Sequence, residues 1–247
     1  MTRLDQALVE CGLCESREKA KRAVLAGQVR VNTRPARKPG DSVKPDDALT
    51  LDAGDRYVSR GGHKLEYALR LFQLDVGGRV ALDLGASTGG FTDCLLQRGA
   101  AKVYAVDVGR GQLAWKLRRD PRVVVMEKSN ARLLTAAQFP QPFTPADLAV
   151  IDCSFISLRK ILPAAVPLLK PDGKIVALIK PQFEAGKAEA DKGRGVIRDA
   201  AIHERVQEEL RKFVAEQSGL SWRNVVESPL LGPAGNKEFL VLIEKNR

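Results

Sequence analysis

The stretch Asp83-Leu84-Gly85-Ala86-Ser87-Thr88-Gly89-Gly90-Phe91-Thr92-Asp93 decides how the chain is read. It follows a short apolar run, Val80 to Leu84, and opens onto a helical pattern, Phe91 to Gln97. A strand that ends in a glycine-rich turn and passes into a helix is the first unit of a parallel α/β sheet. Gly85, Gly89 and Gly90 let the backbone pass close to a bound ligand and turn sharply.

Outward from that turn the alternation continues. Strands are expected at Lys102 to Asp107, Val123 to Met126, Leu148 to Ile151 and Lys174 to Ile179. Helices are expected at Gln112 to Arg118, Leu158 to Leu169 and Ala200 to Gln217. Two late strands, Trp222 to Glu227 and Glu238 to Ile243, are joined without a helix and suggest an antiparallel hairpin closing the sheet. The expected class is α/β, a Rossmann-like sheet of seven strands covered on both faces.

The turn lacks the G-x-G-x-x-G spacing that suits a pyrophosphate. A carboxylate before the first glycine, Asp83, repels phosphate but suits the ammonium of a methionine moiety. Asp107, ending the second strand, is placed to accept hydrogen bonds from two ribose hydroxyls. Asn130, after the third strand, offers an amide to an adenine. These residues, with Ser87, Gly85, Gly89, Gly90 and Asp152, make S-adenosyl-L-methionine the expected cofactor.

Residues 1–60 have another character. Leu4, Ala7, Leu8 and Cys11 share one face of a helix that Gly12 ends, and Ser16 is placed to cap a second helix running to Gly27. A strand at Gln28 to Asn32, a turn-rich stretch and a closing strand at Ala48 to Leu51 complete a small α+β module. Eight basic residues and two acids between Glu15 and Lys38 concentrate +6 of a chain total of +10. Such a patch favours a phosphate-rich partner. Cys11 and Cys14 form a C-x-x-C, but a zinc site needs two further ligands nearby, so no metal is expected. No apolar run is long enough to span a bilayer and the amino terminus has no secretory pattern, so a cytoplasmic protein without a membrane or evident protein partner is expected.

RLDQALVECGLCESREKAKRAVLAGQVRVN, residues 3–32, resembles the S4 RNA-binding module. That resemblance implies RNA contacts by Arg3, Arg17, Lys21, Arg22, Arg30 and Asn32. DLGASTGGFTD resembles the FtsJ-type ribose 2′-O-methyltransferases, over residues 60 to 247. The resemblance implies a Lys-Asp-Lys-Glu tetrad, found as Lys64 in RGGHKLE, expected just before the first helix of the domain, Asp152 in VIDCSFISL, Lys180 in ALIKPQFE and Glu238 in GNKEFLVLIE. Lys180 is the expected base, with Lys64 as neighbouring cation and both carboxylates orienting the ammonium groups. A lysine works as a base only where its surroundings disfavour the charged form.

An S4 module at 1–60, linker included, followed by an FtsJ-like domain at 61–247 is similar to the TlyA family, also called hemolysin A. This implies methylation of a cytidine 2′-hydroxyl in ribosomal RNA or a ribosomal subunit, most readily 23S, since the ending Ile243 to Arg247 resembles the shorter members. A hemolysin and an RNA-binding protein with an idle methyltransferase-like domain are the alternatives. The link GDRYVSRGGHK is expected to hinge at Gly61-Gly62, and AGKAEADKGRGVIRD to be a mobile loop.

Overall fold

The computed structural model describes residues 1–51 and 55–246. The chain divides into two units, Met1–Arg56 and Tyr57–Arg247. Gly54, at the start of the expected link, lies outside the described residues.

In the smaller unit, β1 (Thr2–Arg3) pairs with β4 (Ser42–Val43), and β2 (Val29–Val31) pairs with β3 (Arg34–Pro35) and β5 (Leu49–Leu51). Helices α1 (Leu4–Glu10) and α2 (Arg17–Leu25) pack on each other through Leu4, Leu8, Ala20 and Val24, all buried. Ser16 caps α2 by accepting from Lys19 N at 3.3 Å.

The larger unit begins with α3 (Gly61–Leu71), followed by β6 (Val80–Leu84), α4 (Gly90–Gln97), β7 (Lys102–Val106), α5 (Trp115–Arg118) and β8 (Val123–Met126). Then come β9 (Ala146–Ile151), α6 (Leu158–Ala165), β10 (Leu169–Ile179), α7 (Pro181–Glu184), α8 (Lys187–Lys192), α9 (Ala200–Glu216), β11 (Leu220–Glu227) and β12 (Phe239–Lys245). The sheet order is β11-β12-β10-β9-β6-β7-β8, parallel except for β12, which runs against β10 and β11. Period-two alternation serves both faces. Val103 and Ala105 of β7 pack in the layer of α3 and α4, while Tyr104 and Val106 pack in that of α6 and α9. A fully buried leucine such as Leu82 or Leu162 contributes roughly 1.5–3 kcal/mol.

The chain lays β6, β7 and β8 outward, then returns to place β9 on the other side of β6. Ligands in such sheets settle at this switch point, outside the carboxyl ends of the strands. Because β12 is reversed, its amino end reaches the same edge.

Three local expectations are corrected. Lys64 lies inside α3 rather than before it, since the helix begins at Gly61. Gly61-Gly62 is no hinge: a side chain on Gly62 would strike Tyr57, so the glycine permits close packing. Tyr57 is buried, and Val58 N donates to Asp93 at 2.9 Å, anchoring the segment before α3 to α4. The expected loop from Ala185 to Asp199 contains the short helix α8 at Lys187–Lys192 and is turn or irregular elsewhere.

Candidate active site

Apart from Lys64 on α3 and Asp83 within β6, the site residues follow or begin strands at the switch-point edge. Gly85 follows β6, and its φ of +86° favours glycine. A side chain there would also come within 2.9 Å of the Asp152 carbonyl. Gly89, at φ +97°, begins α4 against Leu113 and Leu117, and Gly90 abuts Ser59. Ser87 is held at φ +49° because its N–H donates to Asp107 at 2.8 Å. Gly109 N donates to the other oxygen of the same carboxylate at 2.7 Å. Two fixed donors orient Asp107, and each oxygen keeps a further lone pair.

Asp83 departs from its expected place. It carries no exposed surface, because alternation along β6 turns it toward α4, where Thr92 Oγ1 donates to Oδ2 at 2.6 Å. Its Oδ1 is buried without a hydrogen-bond partner. Burial pushes the Asp83 carboxyl up to about 7, the Thr92 hydrogen bond opposes this, and Asp152 adds to the rise.

The tetrad positions converge as two ion pairs. Lys64 Nζ lies 2.5 Å from Glu238 Oε2, with both groups buried. Lys180 Nζ lies 2.6 Å from Asp152 Oδ1 and donates to Ser154 Oγ at 3.0 Å. All four residues line one cleft of about 260 Å³ together with Ser59, Ser87 and Ser154. Gly232 is needed here, since a side chain on it would collide with Glu238. Lys237, the residue before Glu238, pairs instead with Glu227 at 3.2 Å.

A second cleft of about 380 Å³ shares Gly85, Ser87, Asp152 and Ser154 with the first. Val106, Val108, Ile156 and Ile161 supply apolar wall, and Asp107 and Asn130 supply polar groups. Asn130 Oδ1 accepts from Arg132 N at 3.0 Å, capping a short turn of helix, which orients the side chain and leaves its amide N–H groups and one lone pair for a ligand. The two clefts together would hold an elongated ligand with a nucleoside at one end and an amino acid at the other.

Three contributors escape a reading by motif. Thr92 holds Asp83, and Ser154 holds Lys180. Phe155 is 90 % exposed at φ +62°, with its ring 5.1 Å from that of Phe183, beside the cleft. A large exposed aromatic held in a rarely populated backbone region is a mark of function.

In the smaller unit, Arg3 and Arg17 both reach the buried Asp5, at 3.0 and 3.4 Å, and keep over half of their side chains exposed. Lys21, Arg22 and Arg30 are exposed. Asn32 is committed elsewhere: its amide donates to Asp47 and accepts from Ala48 N, both at 2.9 Å, so it shapes the turn. Among the described residues no cluster of His, Cys, Asp or Glu could hold a metal, and Cys11 and Cys14 are free.

A seven-stranded doubly wound sheet with a reversed β12, an acid after β7 and a glycine turn after β6 defines a methyltransferase. Residues 57–245 match the FtsJ-like methyltransferase family and residues 2–49 the S4 domain. The chain belongs to the FtsJ-like methyltransferases, in the S4-bearing branch of the TlyA and hemolysin A proteins. It is 48% identical over 243 residues to the 16S/23S rRNA (cytidine-2′-O)-methyltransferase TlyA of Mycobacterium tuberculosis, covering 97% of this chain and 88% of the relative. It is 42% identical over 238 residues to Hemolysin A of Brachyspira hyodysenteriae, covering 96% and 98%. A solved structure from Streptococcus thermophilus, described as a hemolysin, superposes with a TM-score of 0.75 at 46% identity, covering 99% of this chain and 88% of that one.

Proposed function

We propose that this protein transfers the methyl group of S-adenosyl-L-methionine to the 2′-hydroxyl of a cytidine in ribosomal RNA, 23S in particular. The observation that carries the reading is the convergence of Lys64, Asp152, Lys180 and Glu238 on one cleft that adjoins the Asp107 cleft. The relative named as a ribosomal RNA (cytidine-2′-O)-methyltransferase supports the choice of atom and substrate. When bound, S-adenosylmethionine supplies an electrophilic methyl carbon on a cationic sulfur. Asp107 would hold its ribose, Asn130 its adenine edge, and the backbone of Gly85 to Ser87 its methionine end.

A ribose hydroxyl is a weak nucleophile, so its proton must leave as the new bond forms. Lys180, paired with Asp152, first gives up a proton of its own to solvent and then, as the amine, takes the hydroxyl proton, while Asp152 and Ser154 hold its nitrogen in the cleft. Glu238 holds Lys64 on the opposite wall, where its cation can stabilise negative charge developing on the ribose oxygen. The exposed face of Phe155 offers a stacking surface for an unstacked base. Among the described residues no helix is long and apolar enough to cross a membrane, so nothing in the helices favours the hemolysin reading. Transfer of labelled methyl groups to ribosomal RNA from cells lacking the protein tests the proposal. Full labelling is expected, and haemolysis with no RNA labelling would replace it with the alternative.

Arg17, Lys21 and Arg22 on α2 would contact phosphates. Replacing all three by alanine is expected to weaken RNA binding and flatten its salt dependence by up to about 2 in the log–log slope. Filter binding at several salt concentrations measures this, with S-adenosylmethionine affinity as the unchanged control.

Asp83 gives a pH dependence. Its folded carboxyl titrates at about 7, above its ordinary 3.8, so the folded state binds more protons between those values. The stability contribution of the protonated group is fully present below pH ~4 and is lost as pH rises through ~7. A cationic ligand favours the ionised form, so S-adenosylmethionine is expected to bind more tightly as pH rises through 7. Calorimetry across that range should show the slope in the native protein and its disappearance in Asp83→Asn.

A further inference from the structure

The parallel ladder between β9 and β10 ends at the pair Ala177 and Ile151. Beyond it no backbone hydrogen bond joins the segment carrying Asp152 to that carrying Lys180, although Asp152 N–H still donates to the Leu84 carbonyl of β6 at 2.9 Å. On its other side β10 remains paired with β12 as far as Ile179 and Phe239. The alignment of Lys180 with Asp152 therefore depends on side chains that cross from one strand-end segment to the other.

Among the described residues, three crossings add to the contacts of Lys180 with Asp152, which include donation to the Asp152 carbonyl at 3.4 Å. Lys180 donates to Ser154, Phe183 meets the exposed ring of Phe155, and Glu184 reaches the start of α6. The first holds only the tip of the reacting side chain and the second involves a solvent-exposed ring, so neither ties the backbone of the Lys180 segment to the core. Glu184 differs. Its Oε2 accepts from Ser157 Oγ at 2.6 Å and its Oε1 accepts from Leu158 N at 2.7 Å. Leu158 N is one of the donors a helix leaves unpaired at its beginning, and a carboxylate there also suits the helix dipole. Helix α6 is itself fixed in the core by Leu158, Ile161 and Leu162. At the other end, Glu184 closes α7, whose Phe183 N–H donates to the Lys180 carbonyl at 2.9 Å. A continuous chain of contacts thus runs from the core through α6, Ser157 and Glu184 to the backbone of Lys180.

We propose that Glu184 is a positioning residue, holding the Lys180 segment against the Asp152 segment so that the amine meets the ribose hydroxyl in line. The inference rests on the reading of Lys180 as base. Burial raises the Glu184 carboxyl above its usual range, while the bonds from Ser157 and Leu158 hold it down, in keeping with a carboxylate retained for those two contacts.

The test compares Glu184→Ala, Glu184→Gln and Lys180→Ala, each rate being divided by the number of S-adenosylmethionine sites counted by calorimetry. That division removes any loss of folded protein. A displacement of order 1 Å at a reacting group costs about a hundredfold. Glu184→Ala is expected to lower kcat by about ten- to a hundredfold, with donor KM and RNA affinity within about twofold. Glu184→Gln keeps an acceptor for Leu158 N and an amide for Ser157, and is expected to stay within about threefold of the native rate. A native rate per site in Glu184→Ala overturns the proposal. So does a loss in donor or RNA affinity in place of kcat, or a Glu184→Gln as slow as the alanine. Should Glu184→Ala fail to fold, Ser157→Ala decides: a kcat about threefold lower is expected, and an unchanged one overturns the idea. Full activity in Lys180→Ala would mark failure of the underlying mechanism instead, whatever Glu184 does.

Discussion

Replacing Lys180 by alanine is expected to lower methyl transfer about 10²- to 10⁴-fold, the range over which a positioned general base acts. S-adenosylmethionine and RNA binding should survive, because the Asp107 cleft and the basic α2 are untouched. Lys180→Arg sharpens the test. Arginine can keep the ion pair that lysine makes with Asp152 at 2.6 Å, but a guanidinium stays protonated and cannot accept the proton. Both variants should therefore be inactive, the arginine one with near-native stability. Single-turnover rates at saturating donor measure the effect, and an active Lys180→Arg would assign lysine the role of a fixed cation.

The second large effect is on stability. Glu238 and Lys64 are buried together, their side chains 1% and 8% exposed. Removing one member of a buried pair strands the other charge away from water and costs about 3–5 kcal/mol. Glu238→Ala is expected to lose that much in urea unfolding, and activity with it. Glu238→Gln, which keeps the shape against Gly232 and a hydrogen-bond acceptor for Lys64, should lose clearly less. Equal losses in the two variants would mean that packing, rather than charge, dominates.

The sequence shows the elements that follow from period and punctuation. β6, β7 and β8 read as apolar runs ending in Asp83-Leu84-Gly85, Asp107 and the approach to Asn130, because strand ends coincide with a change from apolar to polar residues. Helix α5 is shorter than its pattern suggests. The backbone from Gly109 to Gln112 folds around Asp107, and Ala114 N–H donates to the Thr88 carbonyl at 3.1 Å, so helix begins only at Trp115. The start of α3 was hidden by Gly61-Gly62, which look like a break until Tyr57 is seen to need the space.

The site divides in the same way. The four tetrad positions are implied by the resemblance to the FtsJ-type enzymes and located by the segments that carry them. Their pairing is not visible, since Lys64 and Glu238 are 174 residues apart. Asp83 shows the limit of reading a motif by residue type: a carboxylate beside a glycine turn suggests a contact, while alternation along β6 sends it under the turn to Thr92. Glu184 ends the ALIKPQFE segment quoted for Lys180, but its partners Ser157 and Leu158 lie on another element, and its place is set by where α6 begins relative to α7.

The central claim is that these two ion pairs direct a methyl group to a ribose oxygen. Nucleoside analysis by mass spectrometry of 23S ribosomal RNA, treated with the purified protein and S-adenosylmethionine, tests it most directly. The account predicts 2′-O-methylcytidine as the new nucleoside, absent with Lys180→Ala. A methyl group on a base atom, or 2′-O-methylcytidine formed equally by Lys180→Ala, would contradict it.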